Sequence, residues 1–397
     1  MASSRNFSVG IDIGSYNVKV IVAEQESKAD TQSVKILGSS IVESRGVRHG
    51  FIVNQEEAIK SVRSAIIAAE KSAGVSIRRA YVSVGGVGLS AIISYGNVVV
   101  TKADSEITDL DMKRAIEESE KELPASYIQN RKIIHTLPLE YKVDGKRVLG
   151  KPLGLKGMRL EVKVLYITSL SHHLSDLLTI CDEADIEVQD VIAAPIASSI
   201  STLTKTQKIA GCVVTNIGAE TTSIMVFENN MPVSMEVFQI GSNDITNDIA
   251  LGLKISLEDA ELIKLGQGKA TDYSRRKLDE IIIARLSDIF DLIEDHLRKI
   301  DRSGLLPAGI ILTGGGAGIL NIEELAKLAL RLPSKLSHIK LEGNVKNMSR
   351  DIEWTVCYGL ILANLAPNDT DGLGSGGIKT IKTLGQKFIK WLGQFLP

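Results

Sequence analysis

SVGIDIGSYNVKVIV, Ser8 to Val22, reads as a buried strand, a tight turn and a second strand. Val9, Ile11 and Ile13 lead in, Gly14-Ser15 turns the chain, and Val18, Val20 and Val22 lead out in strict alternation. Gly14 has no side chain, so a ligand can approach the backbone closely. Backbone N–H groups and the Ser15 hydroxyl can then point at phosphate oxygens, with Lys19 supplying positive charge and the Asp12 carboxylate two residues before the glycine. A plain β-hairpin with a conveniently placed Asp fits this stretch equally well.

The hairpin comes twice. CVVTNIGAETTSIMVF, Cys212 to Phe227, repeats strand, turn and strand, with Ile217-Gly218 aligned on Ile13-Gly14 and Asn216 in the place of Asp12. One such hairpin in each half of the chain points to two related domains closing on a nucleotide from both sides. A third element, GIILTGGGAGIL from Gly309 to Leu320, is a buried strand running into three consecutive glycines, which allow close approach to a flat ring or a phosphate.

The 397 residues suffice for two or three domains, and 44% hydrophobic with 24% charged residues is ordinary for a soluble globular protein. A net charge of −2 gives no field that would draw the chain to nucleic acid. Cys181, Cys212 and Cys357 are far apart and lack ligand spacing, so they are expected as reduced structural thiols of a cytoplasmic protein. The start, MASSRNFSVG, has no apolar signal core, and no run is long enough to span a bilayer. The six His, including the pair His172-His173, form no metal motif.

Between the hairpins, Val34–Val42 is expected as a strand and Gln55–Gly74 as a helix with Ile59, Val62, Ile66, Ile67 and Ala69 on one side. Val82–Val84 is a short strand before Gly85-Gly86. From Ser90 to Ile167, alternating strands (Ala91–Thr101, Lys132–Val143, Leu160–Ile167) flank one acidic helix that begins at Thr108, with Asp111 three residues on, and ends at Leu123-Pro124. This reads as an inserted α+β module without a catalytic constellation, suited to protein contact. Helix Ser171–Ala184 and strand Val188–Ile192 follow, then the small residues Ala193 to Ser199, which let a helix pack closely where two halves meet.

After the second hairpin, a strand Glu236–Ile240 ends in Gly241-Ser242, and helices Asn243–Gly252 and Ser256–Lys264 follow. Glu261 and Lys264 share one face of the latter, either as a solvated pair or as a clamp on a ribose and base. Lys277–Ile300 is a long amphipathic helix with Ile281, Leu286, Ile289, Leu292, Ile293 and Leu297 inward, and Trp354–Ala366 is an apolar helix.

The end of the chain changes character. NDTDGLGSGG, Asn368 to Gly377, is a flexible linker by composition, with a reach below ~20 Å. In the following IKTIKTLGQKFIKWLGQFLP, residues Ile378, Ile381, Leu384, Phe388, Leu392, Phe395 and Leu396 form one face at helical spacing, with Trp391 at its edge. Lys379, Lys382, Lys387 and Lys390 lie opposite, and no acid occurs after Asp371. Such a helix suits an anionic bilayer surface; docking on the body or in a partner's groove is the other use of the same pattern. Each Lys is worth roughly 1 kcal/mol near an anionic surface. Single-molecule binding should therefore be modest, and side-by-side subunits should raise it by ~10²-fold or more.

The paired hairpins, the small-residue helix at Pro195, TGGG at Thr313–Gly316 and the Tyr358-Gly359-Leu360 helix together resemble the actin and chaperone-ATPase superfamily. HTLPLEYKVDG (His135–Gly145) with PLGLKGMRLEV (Pro152–Val162), and GSNDITNDIALGL (Gly241–Leu253) with AELIKLGQG (Ala260–Gly268), narrow the resemblance to the FtsA family, the bacterial cell-division actin homologues, over nearly the whole chain. The resemblance implies an α/β, actin-like two-domain ATPase fold, made of duplicated ribonuclease-H-like domains with an inserted α+β subdomain. It divides the chain into subdomain 1A (1–83), insertion 1C (84–165), a return to 1A (166–205), 2A (206–243), 2B (244–305), a return to 2A (306–350), a final helix on 1A (351–366), the linker (367–377) and the membrane-targeting helix (378–397).

It further implies ATP with Mg²⁺ between the halves. Asp12 would orient the metal, directly or through water. Gly14, Ser15, Tyr16, Asn17 and Lys19, with Asn216, Gly218, Ala219, Glu220, Thr221 and Gly241, would line the phosphates, and Glu261, Lys264, Gly314, Gly315 and Gly316 would hold the adenosine. The implied partners are further copies of the chain in a filament, the C-terminal peptide of FtsZ, later division proteins and the anionic cytoplasmic face of the inner membrane at the division site. Two departures stand out. The family usually carries an acid where this chain has Asn216, and a glycine or other small residue at Glu220. Both point to nucleotide binding with turnover slower than about 1 per second, and no catalytic residue is assigned. A pilus-assembly adaptor like PilM, which shares the insertion, and a small-molecule kinase of the same superfold are the rival readings. The tail and the NDIALGL stretch favour the division protein.

Overall fold

The computed structural model describes residues 7–28, 31–267, 274–346, 348 and 350–365. The linker and amphipathic tail expected over 367–397 lie outside the described residues.

Two sheets carry the molecule, and they share one plan. In the first, the strands run Glu187–Ala193, Arg79–Val84, Phe7–Ile13, Asn17–Lys28, Thr31–Glu43, with the two-residue Glu342–Gly343 at the edge. In the second the order is Ser334–Leu336, Gly309–Thr313, Cys212–Ile217, Thr222–Glu228, Met231–Phe238. In each, three parallel strands adjoin an antiparallel meander of two more. The hairpins therefore stand at equivalent places in two copies of one topology. Valine and isoleucine dominate their inward faces: Val9, Ile11, Val18, Val20 and Val22 are all within 1% of full burial.

The helices follow from local chemistry. Gln55–Ala73 begins where Asn54 caps the Glu57 N–H and stops at Gly74, whose left-handed backbone (φ 68°) favours glycine. Ala58, Val62, Ala65, Ile66 and Ala69 face the core, but Ile67 is 58% exposed, because it lies about 100° around the helix from Ile66 and leaves the stripe. In Arg275–Lys299 the stripe is Leu278, Leu286, Ile289, Phe290, Ile293 and Leu297; Leu292 falls beside it and is 38% exposed. The strand expected at Glu236–Ile240 is Met231–Phe238, pairing from its first residue with Glu228, and the next helix starts at Ser242.

The insertion is a four-stranded antiparallel sheet in the order Leu89–Val99, Arg159–Leu170, Arg131–Val143, Lys146–Val148, covered by helix Asp109–Lys121. Thr108 and Asp111 cap that helix reciprocally. The sheet is bolted to the first half. Leu137, Leu165 and Ile167 join the main core, and the buried His135 Nε2 accepts the Ala193 N–H at 3.0 Å.

Helix Ala194–Thr202 touches strands Cys212–Ile217 and Thr222–Glu228 of the second half, and small residues let it pack tightly within the first. Ala194–Thr202 lies against Thr355–Leu365 so closely that a Cβ on Gly359 would strike the Ala197 carbonyl, and one on Gly10 would come within 2.7 Å of the Cys357 oxygen. Among the described residues, no helix is long and apolar enough to cross a membrane.

Candidate nucleotide cleft

The two turns are closed by the same bond. The Gly14 N–H donates to the Asn17 carbonyl at 3.1 Å, and the Gly218 N–H donates to the Thr221 carbonyl at 2.8 Å. In both, the turn glycine's N–H is tied back to the residue three further on: Asn17, the first of its strand, and Thr221, the residue just before the strand Thr222–Glu228.

At the first turn, Asp12 Oδ1 accepts the Ser83 hydroxyl at 2.6 Å from the neighbouring parallel strand. Lys19 is the direct cross-strand partner of Asp12, so the two side chains rise on one side of the ribbon. Ser15 Oγ accepts the Gly50 N–H at 3.1 Å, and Tyr16 projects outward, 53% exposed. Burial raises the Tyr16 pKa, and the nearby carboxylates of Glu261, Glu43 and Glu353 raise it further.

At the second turn, the helix Ser242–Leu253 begins against the hairpin. The Ser242 N–H donates to the Gly218 carbonyl (2.9 Å), the Asn243 N–H to the Ala219 carbonyl (2.8 Å), and the Gly241 N–H to Asp244 Oδ2 (2.8 Å). A Cβ on Gly241 would lie 2.5 Å from the Ala219 oxygen, so the approach needs glycine there. Below, Gly314 takes a backbone open to glycine alone (φ 89°, ψ 166°), wedged against the Asn216 side chain and the Ile217 carbonyl. Gly315–Gly318 continue as one 3₁₀ turn, with a Cβ on Gly316 meeting Ile217 at 2.5 Å.

Three sequence-selected residues have occupations that spacing did not reveal. Glu261 and Lys264 form a half-buried, hydrogen-bonded cluster with Thr246. The Lys264 Nζ is 2.7 Å from Glu261 Oε2 and donates to Thr246 Oγ1 (2.8 Å) and the Ser242 carbonyl (3.2 Å). Thr246 in turn donates to Glu261 at 2.6 Å. Burial lowers the Lys264 pKa and the Glu261 carboxylate opposes that shift. Glu220, 6% exposed, turns its carboxylate across the cleft. Oε1 meets the Arg48 guanidinium at 2.5 Å, and Oε2 accepts the His49 N–H at 2.6 Å. His49 Nδ1 lies 3.2 Å from the Glu220 carbonyl and so carries its proton there. Burial acts to raise the Glu220 pKa, but the His49 N–H, Arg48 and the Ser15 hydroxyl outweigh it and hold the carboxyl below the usual range.

Arg48, His49, Ser83 and Thr246 are the cleft residues that sequence reasoning missed. Arg48 and Glu220 are 172 positions apart. The available signal was the glycine of the His49-Gly50 turn, which follows Arg48 at the end of a two-residue strand.

Duplicated five-strand sheets that face their turns toward one cleft, with an α+β insertion on the first, define the actin-like ATPase fold. Among solved structures, the chain is similar to a PilM–PilN type IV pilus biogenesis complex (TM-score 0.66, 17% identity, covering 91% of this chain and 100% of that one). It is also similar to MreB5 of Spiroplasma citri bound to ADP (TM-score 0.51, 13% identity, 90% and 95% covered). Residues 213–356 match the family model described as Cell division protein FtsA, and residues 88–168 match the SHS2 domain inserted in FtsA. Proteins described as Cell division protein FtsA are 31% identical in Bacillus subtilis (81% of this chain and 76% of that one) and 30% identical in Borreliella burgdorferi (90% and 91%). The chain belongs to the FtsA family of cell division proteins.

Proposed function

We propose that this chain binds ATP with Mg²⁺ between the two turns and, so loaded, polymerises at the cytoplasmic face of the inner membrane. There it would tether FtsZ through the FtsZ C-terminal peptide and recruit later division proteins. The observation that supports the nucleotide reading best is the matched closing bond, which gives both halves the same tight glycine turn, with Arg48 and His49 of one half meeting Glu220 of the other. Gly14 to Asn17 and Lys19 would meet phosphates from one side and Gly218 to Thr221 from the other, with Gly314 to Gly316 against the adenosine. Lys264 and Glu261 would stand beside the adenosine: Lys264 and Glu261 Oε2 brace the helix end at Ser242 through Thr246, and Glu261 Oε1 would reach the ribose.

The residues fit a magnesium ion held mainly by phosphates and water. Asp12 has Oδ1 engaged by Ser83 and offers Oδ2. Among the described residues no group of three or more His, Cys, Asp or Glu could hold a metal by themselves. Mg²⁺ suits such a site, because it keeps several waters and takes one or two carboxylates. Asn216 supplies no charge at the second turn, which supports slow turnover.

The subdomain division proposed from the sequence carries the same reading, with the insertion as a contact module. Membrane attachment rests on the sequence of 378–397 alone. The test is titration of the full chain with a fluorescent ATP analogue, with Mg²⁺ and with EDTA, beside sedimentation with anionic liposomes. Saturable binding displaced by ATP, and sedimentation lost when Ile378 to Pro397 are deleted, are expected. Absence of binding overturns the nucleotide reading, and sedimentation that survives the deletion overturns the tail reading.

A further inference from the structure

We propose that Arg48 and the His49 N–H, closing on the Glu220 carboxylate, form a clasp between the two halves that sets how long a nucleotide stays in the cleft. This rests on the nucleotide site proposed above and concerns its regulation.

Both jaws are rigid where they meet. On the first half, the loop carrying Arg48 and His49 is pinned at four points. Gly50 donates to Ser15 Oγ (3.1 Å), Val87 donates to the His49 carbonyl (3.2 Å), Gly50 packs on Gly86, and Phe51 lies between His172 (6.0 Å, stacked) and His173 (5.2 Å, edge-on). On the second half, the turn that bears Glu220 is held by the Ser242 and Asn243 N–H groups. The Arg48 and His49 bonds join those two bodies directly.

The chemistry makes this joint cooperative. A carboxylate 6% exposed is tolerable because charged and N–H donors fill its oxygens. Parting the halves removes the Arg48 and His49 partners in one movement, so partial opening leaves a buried charge under-satisfied. A small residue in this position would let the turns part without that penalty. The guanidinium approaches from the solvent side, with the Arg48 side chain 69% exposed, so it can be removed without disturbing the core. The side chains of Glu220 and Arg48 are therefore positioning groups: they touch each other and act on a ligand through the spacing of the turns, while the Glu220 backbone stays with the phosphate-facing turn.

The test is stopped-flow release of a fluorescent ATP analogue from the full chain, as wild type, Arg48→Ala and Glu220→Gln. Release from Arg48→Ala is expected about tenfold faster (~1.4 kcal/mol), with association changed less than about twofold. Glu220→Gln keeps an acceptor for the His49 N–H and should fall between. A merely structural role would lower the melting temperature and leave the release rate alone. Amide hydrogen exchange without nucleotide supplies the second measurement: Gly218 to Thr221 and His49-Gly50 should exchange about tenfold faster in Arg48→Ala. Unchanged exchange overturns the clasp whether or not the wild type binds the analogue, whereas a wild type that fails to bind overturns only the nucleotide site. Faster exchange with wild-type release overturns the control of residence time.

Discussion

The first turn and the second turn are the same ribbon put to different uses. Strand order, parallel neighbour and closing N–H bond coincide, but the side chains diverge at successive positions: Asp12 against Asn216, Ser15 against Ala219, Tyr16 against Glu220. The first turn keeps a carboxylate at its base and an exposed phenol at its tip. The second is neutral at its base and commits its one charge to the opposite half. Backbone donors are common to both, so the duplicated part suits a ligand recognised by its phosphates. The divergent side chains decide charge and closure. The difference also shows how a duplicated fold specialises: the hydrogen-bonded frame is kept while the exposed tips drift.

The strand beside each turn gives the sharpest way to break the comparison. Thr313-Gly314-Gly315 in the second half corresponds to Ser83-Val84-Gly85 in the first, since Thr313 lies opposite Asn216 and Ser83 reaches Asp12. Val84 is buried without difficulty, but Gly314 stands at φ 89° with Asn216 and the Ile217 carbonyl (2.5 Å) where a Cβ would go. Gly314→Ala should cost about 3 kcal/mol, combining the backbone strain with the clash. Gly85→Ala, whose Cβ would sit 3.5 Å from that of Ala194, should stay within about 0.5 kcal/mol. Urea unfolding of both variants measures the contrast. Equal stabilities would mean that the third wall is not built for close approach.

Exchanging the two base residues is the next test. Asp12→Asn gives both turns a neutral base and keeps an acceptor for Ser83. Affinity for Mg²⁺-ATP should fall about tenfold (~1.4 kcal/mol), with a smaller loss in EDTA. Asn216→Asp restores an acid to the second turn and should raise phosphate release by about tenfold or more. A Mg²⁺ response that survives Asp12→Asn would remove Asp12 from the metal's surroundings.

Much of this frame was legible in the sequence, because its signals are local. Alternating valines, a glycine at each turn, the Thr108–Asp111 box and the Ser256 cap all act within a few residues, and most elements expected among the described residues lie within a few residues of their expected places. Errors at Ile67 and Leu292 came from the edges of apolar stripes, where a single helical step separates core from solvent. The partners of Glu220 and the burial of Lys264 were not legible. Both depend on where separate segments come together, and nothing in the spacing of charges records that. Glu220 stands in the sequence only as a departure from the small residue expected there; it is a bridge because Arg48 arrives from the other half.

The smallest expected effect concerns the insertion, which only the first half carries. His135 joins it to that half by accepting the Ala193 N–H, and burial pushes its pKa down to about 3. In the unfolded chain a histidine takes its proton near pH 6.5. Above that pH His135 is neutral in both states and contributes no slope. Below it the unfolded state binds a proton that the folded state refuses, so stability falls with acid by about 1.4 kcal/mol per pH unit until the folded pKa is reached. His296 in the second half, hydrogen-bonded to Ser234 and held down to about 4 by burial and Lys299, acts in the same direction over a narrower window. His135→Gln keeps an acceptor for Ala193 and abolishes the titration. Between pH 7 and 5.5 the wild type should therefore lose about 1 kcal/mol more than the variant. Urea midpoints at the two pH values measure this, and equal losses would show that His135 takes up its proton without leaving its seat.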